Sequence, residues 1–310
     1  MNIRTQHGVA LVMVLLIVAM ATTIAAFMAQ QQGFWQREME NGRDRAQARR
    51  IAEAGIDWAR AVLADDKDID GRSESPNDNA KEMWALRLPA IPVEGGEVQG
   101  TIYDQQGLFN LNNLVRNGTM SATDLARFQR LLAALGLPQE IGGALVDWLD
   151  ANSEVSENGA EDEYYQNLAQ PYRCANRPLS DIGELSWVKG FDATIIKRLQ
   201  PFVSVLPDSN TAVNVNFAPP EVLMAMLPGL TLQDARQIET RIKTDPFKNT
   251  TDFLRQLPGN VIQDSTMNLS VSSQYFMVIG RATQGDGASS ARSLLRRNGL
   301  WASQVRKSLQ

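Results

Sequence analysis

The residues with the most chemical potential in this chain lie in one acidic stretch. From Leu131 to Tyr172 there is no lysine or arginine, yet Glu140, Asp147, Asp150, Glu154, Glu157, Glu161, Asp162 and Glu163 all fall within it. Carboxylates without a local cation repel one another. Hard oxygen ligands at short spacing suit Ca²⁺, which takes about 6–8 oxygens and tolerates irregular geometry. Asp147, Asp150, Asn152 and Glu154 sit close together at an expected helix end. A fold-back at Gly159 to Asp162 would bring Glu161 and Asp162 onto them. The glycine and terminal glutamate of an EF-hand loop do not fall in place. A solvated acidic loop is the competing reading, and spacing alone leaves both open.

Other chemistry has less support. The one histidine is His7, inside a short leader, so a chain cut after that leader has no histidine for a triad or a metal site. Asp147 and Asp150 stand one helical turn apart and could serve as a glycosidase-like pair. A membrane-anchored glycan-binding or glycan-hydrolysing domain is therefore the enzyme-class alternative. Leu227-Pro-Gly-Leu230 followed by Asp234-Ala-Arg-Gln-Ile238 has the form of a helix-hairpin-helix, the signature of an exported DNA-binding protein. An aspartate beside a phosphate is unfavourable, and the net charge is −5, so packing is the better reading and no nucleic-acid partner is expected.

These acids belong to a chain that begins in a membrane. Val9 to Ala29 is a run of 21 residues without a charge, long enough to span a bilayer core. The leader before it, residues 1–8, carries Arg4 as its only fixed charge. Positive flanks stay cytoplasmic, so residues 30–310 are expected across the membrane. An ordinary signal peptide with a site at Ala19-Met20-Ala21, a plain anchor, and a leader cut between Gly8 and Val9 all remain open at this point.

Beyond Ala29 the helical period continues through Ala48, Ile51, Ala52, Gly55, Ile56, Ala59, Val62 and Leu63. The segment Val9–Leu63 reads either as one helix or as two broken at Gly33. Asp65–Asn79 reads as a loop. Strands are expected at Glu97–Tyr103, Ser273–Ala282, Ala291–Leu295 and Leu300–Val305. Between them lies a repeat. Phe109-Asn110-Leu111-Asn112 is echoed by Val213-Asn214-Val215-Asn216, Leu131–Leu137 by Leu223–Leu230, and Ser180–Leu185 by Thr251–Leu257. Two related helical units follow from that pattern. Cys174 is the single cysteine, so no intramolecular disulfide can form.

The Gly8–Val9 join resembles a type IV pilin leader. Val9-Ala10-Leu11-Val12-Met13 places Met13 where pilins carry a glutamate, as in the K-type minor pseudopilins of type II secretion systems. The runs D-W-L-D-A-N-S-E (147–154), G-A-E-D-E-Y-Y (159–165), P-Y-R-C-A-N-R-P-L-S-D (171–181) and V-N-V-N-F-A-P-P-E-V-L (213–223) are similar to the same family. The resemblance implies an α+β fold. A long N-terminal transmembrane and amphipathic helix would pack on a pilin-like antiparallel sheet, interrupted by a large α-helical, SAM-like or helix-hairpin-helix-like insertion. The boundaries would be leader 1–8, span 9–29, pilin-like part 30–112, insertion 113–208 and pilin-like part 209–310. The resemblance also implies cleavage and methylation by a prepilin peptidase, and an inner-membrane anchor with a periplasmic domain. Calcium would sit among the acids above. Partners would be the I-type and J-type minor pseudopilins, then the H-type and the major pseudopilin, with this chain at the pseudopilus tip and no enzymatic role.

Overall fold

No proline occurs before Pro76, so nothing in the first 75 residues forbids a helix. The computed structural model describes residues 7–71, 76–87, 89–263, 266–299 and 301–309. A single helix, α1 (His7–Gly71), occupies the first of these segments. It passes through Gly33 unbroken. A lone glycine costs about 1 kcal/mol, too little to interrupt 65 residues of helix. The loop expected from Asp65 starts later, because Leu63 and Ala64 are buried and Asp66 is held by Arg297. Leu11 to Ile17 are all exposed, in the one described helix long and apolar enough to cross a membrane.

Strands β1 (Ile91–Val93) and β2 (Gly96–Asp104) come next. The first helical unit opens on β3 (Phe109–Asn110) and the small hairpin β4 (Val115–Arg116) and β5 (Thr119–Met120). It continues through α2 (Ala122–Ala134), α3 (Ile141–Leu149), α4 (Asp162–Gln166) and α5 (Ala193–Leu199), and closes with β6 (Val203–Ser204). The second unit runs from β7 (Val213–Asn214) through α6 (Pro220–Met226), α7 (Leu232–Thr244) and α8 (Thr250–Leu254) to β8 (Leu269–Ser270). Strands β9 (Tyr275–Gln284), β10 (Gly287–Arg296) and β11 (Ser303–Leu309) end the chain.

The main sheet has the order β1-β2-β9-β10-β11 and is antiparallel throughout. One face carries α1. Ala52, Ile56, Ala59 and Leu63 of the helix pack with Phe276, Val278, Ala291 and Leu295 of the sheet. Gly280 makes the approach possible, because a Cβ there would overlap the carbonyl oxygen of Ala52. The last strand begins at Ser303 rather than near residue 300. The chain first turns Arg297 inward, where its side chain is 6 % exposed and paired with Asp66 and Asp78.

The repeat is present in three dimensions. In the first unit β3 pairs in parallel with β6, and in the second β7 pairs in parallel with β8. Asn112 exchanges two hydrogen bonds with the backbone of Leu179, and Asn216 does the same with Phe247. Each unit contains a helical hairpin, α2–α3 or α6–α7, turning on a left-handed glycine, Gly136 (φ 61°) or Gly229 (φ 90°). Both units share one hydrophobic core from Phe109 to Val271. The boundary expected at 208 therefore needs correction. Residues 213–271 belong with the helical units, because Val222, Leu223, Ala235 and Phe253 pack into that core, and only the strands from Tyr275 onward return to the sheet.

Candidate functional site

The acids of the first unit sort by burial. Asp147, in the last turn of α3, is fully buried and accepts the Ser156 backbone N–H at 3.1 and 3.2 Å through its two oxygens. Gly159 lies directly against it, and a Cβ at 159 would overlap Asp147 Oδ2. Asp150 ends the same helix, is 2 % exposed, and accepts the Asn152 N–H at 3.3 Å. Glu161 stands immediately before α4, is 4 % exposed, and has no hydrogen-bond partner at either carboxylate oxygen.

Burial pushes Glu161 from 4.5 up to about 7, and the charges of Asp147, Asp150 and Asp162 add to the rise. Burial also raises Asp150, with Asp147 and Glu154 adding to it. The remaining sequence-selected residues are less involved. Asn152 and Glu154 are exposed, and Asn152 Oδ1 accepts the Glu154 N–H at 2.6 Å. Asp162 turns to the Cys174 N–H at 2.8 Å. The Cys174 thiol donates to the Asp147 carbonyl oxygen and is pushed up to about 12 by burial.

A buried carboxylate with two unpartnered oxygens, raised by the charges of two further buried acids, is a poor arrangement for a protein alone. Protonation or a bound cation resolves it. The donor set is entirely oxygen, which fits a hard cation such as Ca²⁺ and not a thiolate- or imidazole-seeking metal.

The tightest acid cluster among the described residues lies elsewhere and gave no sequence signal. Asp66, Asp78 and Glu82 each place an oxygen within 4.8 Å of the others. This site already holds a cation. Arg297 donates to Asp66 at 2.5 Å, to Asp78 at 2.5 and 2.7 Å, and to the Ser273 carbonyl at 3.0 Å. Glu82 accepts the Trp84 indole N–H at 2.6 Å and is pushed up to about 8, by burial first and then by Asp66 and Asp78. The grouping joins the end of α1, the 76–82 segment and the end of β10, up to 231 residues apart in sequence.

The N-terminal residues are simpler. Gly8 and Val9 lie in the first turn of α1. Met13 is 60 % exposed among similarly exposed apolar neighbours. In the second helical hairpin, Thr231 and Asp234 form a capping box at the start of α7. The helix end that would meet a phosphate is thus filled by the Asp234 carboxylate.

Two family models, both described as type II secretion system protein K, match residues 107–208 and 213–272. Those segments coincide with the two helical units. A type II secretion system protein K from Pseudomonas aeruginosa is 36 % identical over 293 residues, covering 91 % of this chain and 86 % of the relative. The one from Klebsiella pneumoniae is 33 % identical, covering 96 % and 94 %. Among solved structures, the GspK-GspI-GspJ complex from enterotoxigenic Escherichia coli contains a chain similar in fold. The TM-score is 0.73 at 23 % identity, covering 90 % of this chain and 99 % of that one.

Proposed function

The chain belongs to the type II secretion system protein K family and is a minor pseudopilin, and on that premise we propose where it sits, how it is made and what its acidic pocket holds. The precursor is cut after Gly8 by a prepilin peptidase, and the new N-terminus at Val9 is methylated. The apolar helix then anchors the chain once in the inner membrane, with Arg4 left on the cytoplasmic side and residues 30–310 in the periplasm. The solved Escherichia coli complex holds GspK together with GspI and GspJ. We accordingly read the I-type and J-type minor pseudopilins as partners here, with the H-type and the major pseudopilin following. The role is that of a scaffold, not an enzyme.

The observation that carries the tip position is Met13. A glutamate at the fifth mature position can neutralise the terminal amine of a neighbouring subunit, and an unpaired charge in the bilayer core costs at least about 2.5 kcal/mol. A subunit with no neighbour ahead of it has no amine to answer. The helical units, which build a far larger core than the sheet does, would obstruct a subunit stacked above. N-terminal sequencing of membrane-extracted protein tests the processing, and a start at Thr22 would refute it. Gold labelling tests the position, and regular labels along the shaft would refute it.

The unpartnered Glu161 oxygens carry the calcium reading. Asp147, Asp150 and Glu161 would hold the ion, with Asn152, Glu154 and Asp162 at the margin. The ion would supply positive charge to three buried acids and tie α3 to α4. Binding only to the folded state, it raises stability by mass action. The melting temperature in calcium against chelator tests this, and equality would refute it.

A further inference from the structure

The sheet face opposite α1 is only partly covered. Alternation along β9 sends Phe276 and Val278 toward the helix and Met277 and Ile279 to the other side. There a cleft of about 530 Å³ opens between the sheet and the first helical unit. Its floor includes Met277, Ile279 and Leu294, and the facing wall includes Ile182, Val203 and Val205. Two arginines border it. Arg292 is exposed, and its side chain makes no hydrogen bond or ion pair among the described residues. Arg306 makes one ion pair, with Asp181 at 3.5 Å, in which the aspartate side chain is 61 % exposed. Such a pair is weak and readily exchanged.

We propose that this cleft binds an extended acidic peptide segment, with carboxylates at alternate residues on Arg292 and Arg306 and a following apolar side chain on the half-buried Met277–Ile279 floor.

The strand register sets the spacing. Arg292 is opposite Ser308, and Leu294 is opposite Arg306, so the two arginines are diagonal neighbours on adjacent strands. Diagonal positions stand about 7–8 Å apart. Alternate residues of an extended chain stand about 6.6–6.8 Å apart on one face. A single phosphate would leave the aliphatic floor uncovered. A neutral apolar ligand would leave both guanidinium groups unanswered. An acidic peptide answers both; the complementarity is local to the two guanidinium groups and works against the net charge of −5 carried by the whole chain. The site is separate from the acidic pocket and independent of calcium.

The test uses the full chain in phosphatidylcholine nanodiscs and calorimetric titration at low ionic strength. The probe is the peptide acetyl-Glu-Ala-Glu-Ala-Leu-amide. Saturable binding is expected, weakened about tenfold or more when both peptide glutamates are glutamine, since hydrogen bonds to charged groups carry that much discrimination. Arg292→Ala should weaken it comparably, and Arg292→Ala with Arg306→Ala should abolish it. Asp181→Asn removes a competing carboxylate and should tighten binding several-fold. The Arg292 side chain is exposed and makes no ion pair among the described residues, so its single variant remains informative even if the double variant misfolds. Absence of saturable binding, equal affinity for the glutamine peptide, or an unchanged Arg292→Ala would each overturn the proposal.

Discussion

Glu161→Gln is the most revealing single substitution. In the absence of metal, Glu161 ionises against burial and three neighbouring acids, Asp147, Asp150 and Asp162, which moves it from 4.5 to about 7. A raised carboxyl contributes stability that is complete below about pH 4.5 and lost as pH rises through about 7. At pH 8 the folded chain without calcium therefore bears a penalty of at most about 3 kcal/mol from this group. Glutamine is neutral and nearly isosteric, so it removes the penalty. At about 2–4 °C per kcal/mol for a domain of this size, the variant in chelator should melt up to about 6–12 °C above the parent at pH 8. At pH 4.5 the two should nearly coincide. Calcium should raise the parent strongly and the variant little. The assay is scanning calorimetry of the full chain in nanodiscs, with and without chelator. A variant no more stable than the parent in chelator, or one that keeps the full calcium response, would refute the idea that Glu161 is an unanswered charge facing a cation site.

Four more outcomes are expected. Gly8→Val should leave residues 1–8 attached, read by intact mass after membrane extraction. Terbium in place of calcium should luminesce on excitation of Trp148 and Tyr165, which stack edge-on beside the pocket at 5.2 Å, and Asp150→Ala with Glu161→Ala should abolish that signal. Asn216→Ala strips two bonds from the buried Phe247 backbone and should cost roughly 2–4 kcal/mol, measured by chemical denaturation. Glu82 is raised to about 8, so its stabilisation is lost as pH rises through 8. Glu82→Gln should flatten the fall in melting temperature between pH 6 and 9.

Local rules made much of the architecture legible. The helix followed from an apolar run and a heptad-like face, and β2, β9 and β10 from alternation between turn signals. The paired N-x-N motifs mark two units, because each second asparagine performs the same backbone-bridging task. Gly33 was ambiguous, since a propensity of about 1 kcal/mol cannot decide against the packing of a whole helix. The boundary at 208 comes from the resemblance, which implies one insertion, whereas the repeat pattern already points to a second helical unit that shares the core of the first. Asp147, Asp150 and Glu161 were visible as acids, but their separation from the exposed Asn152 and Glu154 depends on the close pass of Gly159. The Asp66–Asp78–Glu82–Arg297 grouping had no local signature at all, as it is assembled entirely by tertiary structure.

Helix α1 has a mechanical consequence. Its 65 residues extend for about 98 Å at 1.5 Å per residue, with no proline to hinge it. Thrust applied at the membrane end would travel along it as along a rod. The load would enter the sheet at Gly280, where backbone meets backbone and no side chain can yield. It would leave the sheet for the helical units partly through the exposed or half-exposed pairs Arg296–Asp208 and Arg306–Asp181. Those joints are softer than the rod by far. Under compression this molecule should tilt its head before it bends its shaft, so the give in the assembly lies at its leading end.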